Sequence, residues 1–362
     1  MPVVSSAGVS GRHDRAKVEP PGVVTGRYGT VGEVFFLTEP FWPLNTTLFV
    51  KDFKGNDPRF CFYLLKSLDF TAFMDKSGVP GVNRNHLHTI QVSIPPIGEQ
   101  RAIGDALGAL DDKIDVNRQM AETLEEIARA LFQSWFVDFD PVRGTATVPD
   151  DIRRLFPDRL VDSPIGPVPA GWTIGSFGEL VASVGDQVDP RQLPPATPYI
   201  GLEHMPRGRV TLDDWASTNA LVSGKRAFVA GDILWGKLRP YFHKVGIAPV
   251  DGVCSTDILV LRALDPMNRS FALMIAASDR FVDRANAAST GTRMPRASWG
   301  DMASFPLVLP PAALSKRFEA TVEPMLALLV AGVHENRLLA ELRDTLLPRL
   351  VSGELRMPVE SP

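Results

Sequence analysis

The chain has 362 residues, 44% hydrophobic and 22% charged, the balance of a folded protein of two or three domains. No apolar run reaches the roughly 18 residues of a membrane span, no basic-then-apolar leader pattern opens the sequence, and two cysteines in separate segments argue against a disulfide framework and fit a reducing cytoplasm. Net charge is -4, but residues 99–140 carry 4 Lys/Arg against 10 Asp/Glu while residues 1–93 carry 10 against 8 and residues 172–300 carry 14 against 12, so the acidity sits on one predicted helix and any nucleic-acid grip rests on local placement of Arg and Lys.

Residues 1–95 read as a first mixed α/β segment. Short β-rich runs (Gly32–Leu37 and Asn45–Val50) lie between Gly and Pro breaks, and Arg59–Met74 reads as a helix with Phe60, Tyr63, Leu64 and Leu68 on one face. Residues 96–139 hold a first long helix, about 60 Å over residues 97–136 at 1.5 Å per residue. Its apolar positions Ile103, Leu107, Leu110, Ile114, Asn117, Ala121, Leu124, Ala128 and Leu131 step by four and three without a break. Residues 140–171 are rich in Pro and Gly and read as a linker with one short helix. Residues 172–309 form a second α/β segment, and 310–354 a second long helix. Its stripe runs Phe318, Val322, Met325, Leu329, Gly332, Asn336, Leu339, Arg343, Leu346 and Leu350. A 3.5-residue repeat calls for a partner helix. The expected fold is α+β: two repeated α/β arms and two long helices forming a coiled coil.

The two halves repeat in detail. A Pro-Pro step opens each helix, at Pro95-Pro96 and Pro310-Pro311, and Gly78–Ile94 parallels Gly291–Leu309. Both stripes carry Asn, at 117 and 336, where a buried Asn sets register and a helix-surface Asn meets water. The second stripe holds four extra residues, a stutter. Pro348 is expected to kink or end the second helix. Asp111-Asp112 and Glu125-Glu126 read as solvated charge. Pro2–Ser5 matches Pro198–Gly201, so the first arm lacks a counterpart of Trp172–Thr197.

Two kinds of loop carry candidate chemistry. Gly231–Lys237 satisfies G-x-x-x-x-G-K, but Leu238 stands where magnesium needs Ser or Thr, and Ile233-Leu234-Trp235 reads as a strand. The turns that follow the repeated strands hold Arg27, Tyr28 and Thr30 in one arm, and Lys237, Arg239, Tyr241 and Lys244 in the other; basic, aromatic and small residues there suit phosphates and base edges. A second loop before each Pro-Pro step holds Asn83, Arg84 and His86, and Arg293 and Arg296. Asn and Arg are the side chains that read adenine and guanine bidentately; an N-cap role for Asn83 or Asn85 is the structural alternative. No carboxylate or Cys completes a metal site with His86 and His88, and no catalytic arrangement is visible. A coiled-coil adaptor between proteins, without DNA readout, is the rival reading; a nucleotide-hydrolysing enzyme built on Gly231–Lys237 is a weaker one.

Taken together, Ile94-Pro95-Pro96-x-x-Glu99-Gln100, Asp111–Ile114, Leu124–Phe139, Arg27–Gly32, Phe41–Thr46, Ser77–Arg84, Phe156–Leu160 and Leu346–Leu355 resemble the specificity subunit of type I restriction–modification enzymes. The resemblance covers nearly the whole chain. It implies two target-recognition domains, each reading half of a bipartite site in double-stranded DNA, and two antiparallel helices acting as a spacer. It also implies a non-catalytic cytoplasmic chain, with no cofactor of its own, that docks two modification subunits carrying S-adenosylmethionine and restriction subunits using ATP and magnesium. The family pattern leads to the expectation of a truncated first domain, or of a true start further upstream.

Overall fold

The computed structural model describes residues 1–70, 81–218, 223–291 and 293–358. Strands β1 (Pro2–Ser5), β2 (Gly8–Arg12), β3 (Gly22–Gly26), β4 (Val34–Leu37), β5 (Trp42–Pro43) and β6 (Thr47–Phe49) lead to helices α1 (Pro58–Lys66), α2 (Arg84–Leu87) and α3 (Ile97–Phe132). Then come α4 (Asp140–Arg143), α5 (Asp150–Arg153), β7 (Leu160–Val161), β8 (Val168–Pro169), β9 (Thr173–Ser176), β10 (Val181–Val184), β11 (Gln187–Val188), β12 (Pro198–Ile200) and β13 (Ala216–Ser217). Strands β14 (Lys225–Phe228), β15 (Ile233–Gly236), β16 (Val245–Ile247), β17 (Gly252–Cys254) and β18 (Ile258–Ala263) precede α6 (Arg269–Ala276), α7 (Asp279–Ala287), α8 (Trp299–Ala303), β19 (Pro306–Leu309) and α9 (Ala312–Val351). The chain forms two compact units: Met1–Val116 with Glu335–Pro362, and Asn117–His334.

In the first unit, β2-β1-β5 and β4-β3-β6 make two three-stranded sheets. Asp57 caps α1, accepting from the Phe60 amide at 2.8 Å, and Pro58 supplies a helix-ready φ. The helix stops at Lys66, eight residues before the expected end at Met74; residues 71–80, including the Gly78-Val79-Pro80 part of the proposed repeat, lie outside the described residues. Phe60, Tyr63, Ile103, Leu107, Leu347 and Leu350 share one core, so the start of α3 packs against the end of α9. Lys113 pairs with Glu335, Asp111 with Arg343 and Glu99 with Arg356, an order that makes the two segments antiparallel.

In the second unit, α3 and α9 again run antiparallel: Asn117 faces Gly332 at one end, and Trp135 and Phe136 meet Phe318 at the other. The five-residue π turn Gln133–Val137 and the left-handed Phe139 drive aromatic residues inward. Residues 140–171, expected to be a linker, are built into this core through Val142, Ile152, Phe156 and Val168, packed with Trp135, Phe136 and Trp172.

The predicted seam needs correction in its later turns. Ile103, Leu107, Ile114, Asn117, Ala121 and Ala128 are buried, but Leu110, Leu124 and Leu131 are only half-buried, and Glu125 and Phe132 take the inner places. On α9, Phe318, Val322, Leu329 and Leu350 are buried as expected. Leu326 and Leu347 replace Met325 and Leu346, and Asn336 is half-buried. A straight helix turns every 3.6 residues, so a strict 3.5-residue register drifts off its inner face over several turns. Helix α9 also runs through Pro348 to Val351 and closes at Gly353, whose φ is +76°.

Candidate nucleic-acid interface

Each unit joins its two predicted loops through the same short ladder. In the first, β3 ends at Gly26, and the next residues return to a neighbouring strand's entry: Arg27 and Tyr28 amides donate to Thr46 O at 2.8 and 3.3 Å. The Arg27 carbonyl accepts from Val82, and Tyr28 bridges Gly81. In the second, Lys237 donates to Asp257 O at 2.9 Å, its carbonyl accepts from Ala297, and Leu238 bridges Arg296. Residues more than 50 positions apart in sequence thus form one surface in each unit. Gly26 is required by close approach, since a Cβ there would lie 1.8 Å from Thr30 O.

The ladder realigns the repeat. Gly81 corresponds to Arg296, and from there the halves match without a gap to Ile94 and Leu309. Asn83 then corresponds to Ser298, and both cap a helix: Asn83 Oδ1 accepts from Asn85 N at 3.0 Å, and Ser298 Oγ from Asp301 N at 3.1 Å. Asn83 therefore fills the N-cap role set out as its alternative. Arg84 and His86 sit exposed on the helix after the bridge, whereas Arg293 and Arg296 precede it, so the two loops contribute from different sides.

Side-chain chemistry differs between positions. The Arg27 guanidinium lies 4.8 Å from the Tyr28 ring centroid; Tyr28 and Thr30 are exposed. In the second unit, Arg239 is held at φ +52° and His243 at φ +50°, and the Arg239 amide donates to Pro295 O at 2.8 Å. Tyr241 is exposed, Lys237 is half-buried, and Arg293 is exposed beside Thr292, which is outside the described residues. Two predicted cations are engaged within the unit. Lys244 Nζ donates to Leu202 O, and burial lowers its pKa. Arg296 binds Asp257 at 3.0 Å, which holds its guanidinium charged.

The sequence reading missed Arg207. Its guanidinium lies 4.0 Å from the Phe242 ring centroid, a ring that Arg239 also approaches at 5.9 Å, and Gly208 N donates to His243 O at 2.9 Å. Arg207 and Tyr241 are exposed and flank the half-buried Arg239 in one basic-aromatic cluster; the Arg207-Gly208-Arg209 run was the available signal. A guanidinium stacked on a ring can turn its N–H edge to phosphate or guanine, as the exposed Arg207 is placed to do, whereas Arg239 Nε is buried. The G-x-x-x-x-G-K stretch is strand β15, buried between two antiparallel neighbours, and forms no phosphate cradle. Among the described residues no His/Cys/Asp/Glu group is arranged to hold a metal, and no helix is long and apolar enough to cross a membrane.

Residues 5–126 match the type I restriction modification DNA specificity domain. The chain is 24% identical over 310 residues to the MjaIX specificity subunit of Methanocaldococcus jannaschii, covering 82% of this chain and 69% of that one. It is 42% identical over 100 residues to the HindI specificity subunit of Haemophilus influenzae, covering 26% and 22%. Residues 5–126 thus resemble the DNA specificity domain of type I systems, and most of the chain is similar to a type I specificity subunit. The chain also shares the fold of the type I restriction-modification system S subunit from M. genitalium, with a TM-score of 0.61 at 15% identity, over 97% of this chain and 88% of that one.

Proposed function

We propose that this chain reads two parts of a duplex DNA target, one with each unit, through the surfaces built on Arg27–Tyr28 and on Lys237–Arg239. The observation that carries the reading is the repeated ladder, which in both units sets a basic, aromatic turn beside a second loop of Asn, Arg or His. Arg207, Arg239, Tyr241 and Arg293 form the contact set in the second unit, and Arg27, Tyr28, Thr30, Arg84 and His86 in the first. Bond-making belongs to partners: two modification subunits bringing S-adenosylmethionine, and restriction subunits using ATP and magnesium. The reading puts the chain in the cytoplasm with the DNA it selects.

The test is co-expression with the modification subunit encoded alongside it, followed by a genome-wide map of methylated adenines. A split motif that changes when Arg27 or Arg239 is replaced supports the reading. A complex that binds no DNA at any salt concentration points instead to a protein adaptor, because phosphate contacts make true DNA binding weaken with salt.

A further inference from the structure

The turn that carries Arg239 and Tyr241 in the second unit has a disfavoured backbone shape. Pro240–Phe242 make one 3-10 turn, and the residues on either side are both left-handed: Arg239 at φ +52° and ψ 66°, His243 at φ +50° and ψ 53°. Neither is glycine, so each Cβ crowds the carbonyl that follows it. Such strain persists only where surrounding contacts over-determine it. The Phe242 amide donates to Arg239 O at 2.9 Å and the His243 amide to Pro240 O at 2.8 Å, bonds that close the turn on itself. The Arg239 amide fixes one end through Pro295 O. His243 fixes the other.

The His243 side chain is 19% exposed and reaches the junction of α6 and α7. Nε2 lies 2.9 Å from Ala277 O, so that nitrogen carries a hydrogen and donates. Nδ1 lies 3.4 Å from Asp279 Oδ1, a carboxylate 92% exposed, and a pair so open to water contributes little. The His243 carbonyl accepts from Gly208 N at 2.9 Å. Arg129 on α3 closes the circuit: Nη1 donates to Ala277 O and Nη2 to Gly208 O, both at 3.1 Å, while the buried Glu125 carboxylate holds the guanidinium at 2.9 Å. Arg129, Ala277, His243 and Gly208 thus form one hydrogen-bonded ring. Arg207 precedes Gly208, and Phe242, the ring it stacks on, precedes His243. Both partners of the stack therefore stand one residue from the circuit.

We propose that His243 is a positioning residue for DNA recognition by the second unit. Its Nε2–H bond to Ala277 O holds the strained turn, and with it the Arg207–Phe242–Arg239 cluster, against helix α3. The inference rests on the DNA reading proposed for that cluster and adds the residue that sets its geometry. His243 acts through its neighbours: it fixes where Arg207, Arg239 and Tyr241 stand. Without the anchor, residues 239–243 regain right-handed backbone states, Phe242 leaves the Arg207 guanidinium, and the cations no longer present a preorganised edge to phosphate or base. Arg129 is unsuited to the test, because its loss leaves the buried Glu125 carboxylate without its counter-charge. His243 faces an uncharged carbonyl and an exposed carboxylate, so replacing it strands no buried charge.

The experiment compares His243→Asn with His243→Gln in the full chain assembled with the modification subunit. Asn accepts the left-handed backbone but is too short to reach Ala277 O, whereas the Gln side-chain amide nitrogen extends about as far as the imidazole Nε2 and can donate there. Hydrogen–deuterium exchange reads the turn without DNA. In His243→Asn the Phe242 and His243 amides are expected to exchange about tenfold faster while the Glu125-bound Val210 amide stays protected, and in His243→Gln they should remain within about twofold of the parent. Fluorescence anisotropy on a duplex carrying the motif found by methylation mapping should show binding about fivefold to tenfold weaker in His243→Asn and restored in His243→Gln. Unchanged exchange and affinity in His243→Asn overturn the proposal, as does a loss that His243→Gln fails to restore. Arg207→Ala and Arg239→Ala are measured alongside. If they weaken binding and His243→Asn does not, the positioning role falls and the DNA reading stands. If neither changes affinity or salt slope, the DNA reading of this unit fails and the proposal falls with it.

Discussion

The Glu125 carboxylate accepts a hydrogen bond from the backbone amide of Val210 at 2.9 Å, tying helix α3 to the loop that carries Arg207. Arg129 binds the same carboxylate at 2.9 Å and reaches the Ala277 and Gly208 carbonyls at 3.1 Å. Thr211 Oγ1 adds a longer contact at 3.3 Å. Removing Glu125 leaves the buried Val210 amide without its acceptor and the half-buried Arg129 guanidinium without its counter-charge. Glu125→Ala should therefore lower unfolding free energy by roughly 3–5 kcal/mol, and Glu125→Gln by less, in urea titrations.

Asp111 accepts from Tyr63 Oη at 2.6 Å and pairs with Arg343. Burial pushes the Tyr63 phenol up, and the carboxylate adds to the shift. Burial works against the charge on Arg343, while its bonds to Asp111 and Asp344 hold it protonated. A double-mutant cycle on Asp111→Ala and Arg343→Ala should show about 1–3 kcal/mol of coupling. Additive effects would mean the pair contributes nothing beyond separate packing.

Phosphate and base contacts predict different outcomes in the second unit. Arg207→Ala and Arg239→Ala should each weaken target binding by about 1–3 kcal/mol if they read bases, or lower the salt slope by about one if they hold phosphates. Lys244→Ala and Arg296→Ala should change DNA affinity less, because those cations bind Leu202 and Asp257. Fluorescence anisotropy of the assembled complex at several salt concentrations separates the cases.

Under the proposed reading each unit reads its own half of the target. Tyr28→Ala and Arg84→Ala should relax the motif read by the first unit and leave the other half intact. Methylation mapping checks this directly, since a change in both halves would contradict independent readout.

The cysteines give a pH prediction. Burial pushes the Cys254 thiol up to about 12 and the Cys61 thiol up to about 11, from an ordinary value near 9. The folded-state values are raised, so their contribution to stability is complete below pH 9 and declines as pH rises through the folded values, by up to about 1.4 kcal/mol per pH unit for each thiol. Cys254→Ala should remove the Cys254 part of that alkaline loss in denaturant titrations. Thiol-reactive dye should label Cys254 in unfolded chain far faster than in native chain.

Much of the architecture was readable in advance because it rests on local spacing. The Pro-Pro steps, the early seam residues Ile103, Leu107 and Ile114, and the repeated strand ends at Gly26 and Gly236 all stand where their pattern put them. The candidate surfaces were readable as loops, since basic and aromatic residues after a Gly turn have a recognisable composition. Glu125 was not. A carboxylate beside Glu126 on an acidic helix looks solvated until Val210 N and Arg129 arrive from other positions. Leu326 was missed for a related reason. A fixed 3.5-residue step loses the inner face of a 3.6-residue helix.

The sequence alone determined the duplication, the two long helices, the residue types of the candidate turns and the family resemblance. Periodicity and local propensity act over a few residues, and a linear chain carries that information openly. Tertiary structure decided which distant loops share a surface, that residues 140–171 belong to a core, that Arg296 and Lys244 are already engaged, and that Arg207 faces outward beside Arg239. Those outcomes depend on which polar group meets which partner after long-range closure, and no local pattern encodes that choice.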